Sequence, residues 1–166
     1  MQKTYYFDNY DVQSQAFEVN PQNACDDNIA TYAESTVGDN YRPSRRQILN
    51  SNTSLGVDLG SISKVEIRAY IGVDSNCTLH LAGLLYIDGN TIFSEDFLFT
   101  NVGPAWIDWQ DITAMSTWDW TKIKNLQCVL LNGYMTEKPW GTARVYAVEL
   151  KVTVVDPTGP MPMFIK

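Results

Sequence analysis

Hard oxygen donors crowd one short stretch near the start of the chain, where Asn23, Asp26, Asp27, Asn28 and Thr31 lie close together in a turn-rich segment. Calcium takes about six to eight oxygens from carboxylates, amides, backbone carbonyls and water. Glu149 sits near the other end, in VYAVELKV, and would close such a shell if the first and last strands lay side by side. The alternative for these residues is an Asp/Asn turn closed by its own side-chain-to-backbone bonds.

Aromatic side chains supply the second kind of chemistry. Tryptophan and tyrosine present a flat apolar ring with a polar edge, suited to stacking on a sugar or filling an interface. The chain has five tryptophans. Trp140 and Tyr134, with Met135, occupy the polar, turn-rich segment 132–141, and loops on a rigid scaffold carry binding functions. Trp109 joins them as a ligand-binding candidate, because Trp106 and Trp109 have opposite parity and a regular strand points one of them outward. Trp118 and Trp120 flank Asp119 with the same parity and are expected to serve packing. The alternative for Trp140 and Tyr134 is that they only cover one end of the domain.

Catalysis finds little support. His80 is the one histidine, set between Leu79 and Leu81 in an apolar run, and reads as a sheet-face residue. There is no Gly-x-Ser-x-Gly elbow and no His-Glu-x-x-His pair. Arg68, Tyr70, His80 and Tyr86 are residue types that jelly-roll polysaccharide lyases use, but the strand motifs of those enzymes are missing. The expectation is no catalytic residue and a non-enzymatic role.

The elements that position these groups are strands. Alternation of period two runs through 64–73, with Val65, Ile67, Ala69 and Ile71 on one face and Glu66, Arg68 and Tyr70 on the other. A second run, 77–87, ends at Asp88-Gly89, a hairpin signal, with 91–98 expected to return antiparallel. Further strands are expected over 106–112, 126–131 and 143–155, and weaker ones over 4–7 and 16–19. In 143–155 the alternation puts Tyr146, Val148, Leu150, Val152 and Val154 inward and Ala147, Glu149 and Lys151 outward. Residues 121–125 suggest a short helical turn. The stretch 35–50, with Tyr41, Arg42, Arg45 and Arg46, reads as a long solvated loop. Many short strands between Gly, Asn and Asp turns predict an all-β antiparallel sandwich.

The 166 residues suit one domain, and 45% hydrophobic residues with 12% aromatic exclude a disordered chain. A net charge of -7 argues against binding a nucleic-acid backbone. Three cysteines, Cys25, Cys77 and Cys128, make no disulfide framework. No apolar run is long enough to span a membrane, and the first eight residues carry no signal-peptide pattern, so synthesis without a secretion signal is expected. The division expected is a sandwich over 1–155 and an extended tail over 156–166. The prolines of that tail bar it from a central strand. Met163, Phe164 and Ile165 suit it either to fold back on its own sheet or to dock on a neighbouring subunit and carry a homo-oligomer.

The segment NACDDNIATYA resembles the loop of galactose-binding-like jelly rolls, a group that includes carbohydrate-binding modules and discoidin-type domains. VYAVEL is similar to their late, Glu-bearing strand. The resemblance implies a structural calcium held by Asp26, Asn28, Thr31 and Glu149. It departs at Asp27, where many members have Gly. A second resemblance, over WQDITAMSTWDWTKIKNLQCVLLNG and GTARVYAVELKVTV, is to β-sandwich modules of bacteriophage virion proteins and bacterial surface proteins. Together they imply a non-catalytic decoration, fibre or adhesin module at a virion surface or outside the cell. Its expected partners are a glycan or a neighbouring virion subunit. The alternative is a carbohydrate-binding module of a polysaccharide-active or cell-surface protein.

Overall fold

Alternating apolar residues bury one face of each strand, and this chain closes those faces over a single core. The computed structural model describes residues 1–11, 17–37, 45–50, 59–87, 90–93, 97–133 and 141–155. They form ten strands: β1 (Gln2–Tyr6), β2 (Asn9–Asp11), β3 (Ala33–Val37), β4 (Arg45–Asn50), β5 (Ile62–Ile87), β6 (Asn90–Phe93), β7 (Phe97–Trp106), β8 (Gln110–Asp111), β9 (Gln127–Gly133) and β10 (Gly141–Val154). One helix, α1 (Trp120–Asn125), and two short 3-10 turns complete the described elements. Every strand pairing is antiparallel. The protein is an all-β antiparallel sandwich, as its alternation predicts.

The 26-residue β5 organises it. Up to Val73 one edge of β5 bonds to β10, and from Thr78 onward to β9. Beyond β10 lie β1 and β3; beyond β9 lie β4 and β2. Strands that bend from one layer into the other are a known way of making a sandwich corner. Val65, Ile67, Ala69 and Ile71 of β5 meet Val148, Leu150, Val152 and Val154 of β10 in the core, which also takes Leu49, Cys128 and Leu130. Each such large apolar side chain contributes about 1.5–3 kcal/mol on full burial.

Several expectations change. Runs 64–73 and 77–87 are one continuous strand, with a register shift against its neighbour β7 between Val73 and Thr78. Ile87 pairs with Asn90 across positions 88 and 89, which lie outside the described residues, and the expected antiparallel return is carried by β6 and β7. The supposed loop 35–50 contains the end of β3 and all of β4, so Arg45 and Arg46 are strand residues. Of the strand expected over 16–19, the described residues 17–19 hold an isolated bridge between Val19 and Glu34.

The inward face of β10 also changes. Register slips by one residue between Val145 and Ala147, a β-bulge, so Val145 and Val148 join the core cluster, whereas Tyr146 is buried outside it. Tyr146 packs instead on Tyr32 and Tyr70.

A second irregularity adjoins β5's other edge. Tyr70 pairs with Trp106 and Ile67 with Gln110, so the partner chain carries one residue more than β5 does between these pairs. The backbone still bonds on either side, Ile107 N–H to Ala69 O at 3.0 Å and Ile112 N–H to Val65 O at 2.9 Å. The expected strand 106–112 is therefore broken opposite Arg68, by Asp108 and Trp109.

Candidate ligand-binding face

The polar face of β5 lies on the outer side of the sheet and is bordered by both irregularities. Arg68 is its centre. Its guanidinium lies 4.0 Å from the Trp106 ring centre and 4.4 Å from that of Trp109. Arg68 Nε and an amino group of the same guanidinium both donate to Glu149 Oε2 at 2.7 Å. Cation–π contacts and a charge-assisted pair fix this arginine from three sides. The two indoles share it because the strand breaks between them; the parity of an unbroken strand would have separated them.

Aromatic contact continues across the sheet. Trp106 meets Tyr70 at 5.3 Å, Tyr70 meets Tyr146 at 5.1 Å, and Tyr146 meets Tyr32 at 5.3 Å between ring centres. Arg144 lies 5.2 Å from the Tyr32 ring centre and donates to Glu34 Oε2 at 2.6 Å. That bond raises the Arg144 guanidinium further above its ordinary value. Burial pushes the Tyr146 phenol up. On the other flank Lys151 sits 4.2 Å from the Trp109 ring centre and 2.9 Å from Glu66, which Lys64 also reaches at 2.9 Å. Burial opposes the charge on Glu66, but the bonds from Lys151 and Lys64 outweigh it and hold that carboxyl below its ordinary range.

Trp106, Trp109, Tyr70 and Tyr32 are all partly exposed, while Tyr146, which links Tyr70 to Tyr32, is buried, so the row is open to solvent on either side of that ring. Trp109 is the expected site residue that falls here. Trp140 and Tyr134 lie outside the described residues, as does the tail 156–166. Trp118 and Trp120 pack against the core, their indole N–H groups donating to Ile112 and Thr113 carbonyls and to Gly60 O. His80 pairs with Leu131 and Leu98 along the backbone of β5.

The oxygen-rich turn is closed by its own bonds. Asp26 Oδ1 accepts from the Asn28 N–H at 3.0 Å, and Asp26 Oδ2 accepts from the Thr31 hydroxyl at 2.6 Å. Asn28 Oδ1 accepts from the Ala30 N–H at 3.1 Å. Glu149 is on the outer sheet face with Arg68. Among the described residues no three His, Cys, Asp or Glu side chains are grouped to hold a metal, so Asp26, Asp27 and Glu149 do not form such a group.

Sequence reasoning passed over Arg68 and Trp106 as ligand residues, and Tyr32, Tyr146 and Arg144 with them. The signal for Arg68 and Tyr70 was the polar side of the 64–73 alternation. Fold and face together define an all-β sandwich with an aromatic row threaded by ion pairs on one sheet. Compared with known proteins, the chain matches no protein-family model, no curated protein and no solved structure.

Proposed function

We propose that this protein is a non-catalytic β-sandwich module, of the galactose-binding-like jelly-roll kind, that binds glycan on the outer face of the β10–β5 sheet. The observation that carries this reading is the Arg68 guanidinium held between two partly exposed indoles and tied to Glu149. Rigid rings offer apolar area at low entropic cost, and the neighbouring Arg and Glu groups hydrogen-bond hydroxyls. A sugar ring needs both. A decoration, fibre or adhesin module at a virion surface is one setting for such recognition, and a module attached to a polysaccharide-active protein is the other.

Retention of the full chain on a panel of immobilised polysaccharides tests it. Trp106→Ala and Trp109→Ala should each weaken retention by about tenfold, the size of one well-placed aromatic contact. Wild-type retention matched by both variants, with melting temperatures unchanged, would move the site elsewhere on the molecule.

A further inference from the structure

The charges of this face are cancelled within the protein. Lys64 and Lys151 share Glu66, Arg68 has Glu149, and Arg144 has Glu34, every pair at 2.9 Å or less. The exposed Asp111 carboxylate adds negative charge 3.6 Å from Lys64, and the exposed Asp108 adds another next to Trp109 in the chain. An anionic ligand would have to displace carboxylates already bonded to these cations, and would approach a chain of net charge -7. The row of rings also has length. It begins at Trp109 beside one edge of β5, crosses β5 and β10, and ends at Tyr32, next to β3 on the far edge of β10. At ~4.8 Å per gap between strands, this path covers about 14 Å.

We infer that the face takes a neutral, extended glycan lying across the strands, in preference to an acidic polysaccharide or a single terminal sugar. This rests on the glycan-binding reading above. Arg68 and Arg144 act as positioned hydrogen-bond donors whose charge is spent inside the protein, and the aromatic row sets the length of ligand that is read.

The test uses the full chain with neutral polysaccharides (a mannan, a glucan, a galactan), an acidic one (an alginate) and oligosaccharides cut from whichever polymer is retained. The expected result is retention on a neutral polymer that persists to roughly 0.5 M salt, where exposed charges are strongly screened. Oligosaccharides should compete at least about tenfold better than the monosaccharide, a difference of ~1.4 kcal/mol. Tyr32→Ala and Trp109→Ala, at opposite ends of the row, should each reduce that advantage.

Should either substitution disturb folding, the near-isosteric Glu149→Gln and Glu34→Gln variants test the charge argument directly. Each frees one arginine and should raise retention on alginate by about fivefold in low salt, with the gain lost at high salt. Wild-type retention on alginate that salt abolishes would overturn the inference and leave the glycan reading intact. So would a monosaccharide that competes as well as its oligosaccharides. A wild-type chain retained on no glycan of either kind would overturn both.

Discussion

Asp27 sits at φ 52°, in the left-handed region that glycine enters most freely. In backbone terms glycine is the least strained residue at this position. Asp27→Gly should keep stability or raise it by up to about 1 kcal/mol, whereas Asp26→Ala, which loses the bonds to Asn28 and Thr31, should cost about 1–2 kcal/mol. Denaturant unfolding of both variants checks the pair. The same two proteins test the expected calcium, because an ion bound only by the folded chain raises the melting temperature. A calcium-induced rise in wild type that Asp26→Ala abolishes would assign an ion to this turn.

Glu66 makes a prediction in pH. Its carboxyl is held below the ordinary value of 4.5, burial being outweighed by Lys151 and Lys64. A depressed carboxylate stabilises the fold above its unfolded pKa, and that share is lost as pH falls below 4.5 through the folded value. Melting temperature against pH should therefore drop less steeply below that point in Glu66→Gln than in wild type. Cys25 and Cys128 are buried thiols pushed up to about 12, mainly by burial. Both should resist alkylation at neutral pH until the protein is unfolded, as mass analysis after brief labelling would read.

At the scale of elements, two local breaks in strand regularity compose the candidate face. The extra residue of β10 near Tyr146 sets that ring beside Tyr70, and the break at Asp108 and Trp109 sets an indole against Arg68. Bulges re-aim side chains in this way. They also mark where alternation stops being readable. The core side of β5, Val65 to Ile71, was legible because nothing interrupts it. Tyr146 was assigned to the core because strict parity from Val154 backwards puts it there, and no residue type announces the slip. Trp106 and Trp109 were separated for the same reason. β4 was hidden because Arg45, Arg46 and Gln47 form a polar run whose strand state comes from pairing with β9. The helix was legible: Asp119 accepts from the Lys122 N–H at 2.8 Å as its N-cap. Asp119→Ala should cost about 1 kcal/mol in denaturant unfolding, because a first-turn donor then loses its partner.

Over the whole molecule, one strand ties both layers together. β5 contributes to the core and, through Glu66, Arg68 and Tyr70, to the outer face, so the platform is anchored to the most central strand of the fold. Such anchoring gives a binding face its rigidity, and rings that are already ordered lose little entropy when a ligand arrives. The five tryptophans allow this to be read residue by residue, since each indole N–H gives its own nuclear magnetic resonance signal. Titrating the full chain with the retained glycan, and following those signals, is the most direct measurement. The account predicts that the Trp106 and Trp109 signals move. Those of Trp118 and Trp120, whose N–H groups are committed to backbone carbonyls, stay in place. Movement of Trp140 alone, or of none of the five, would contradict it.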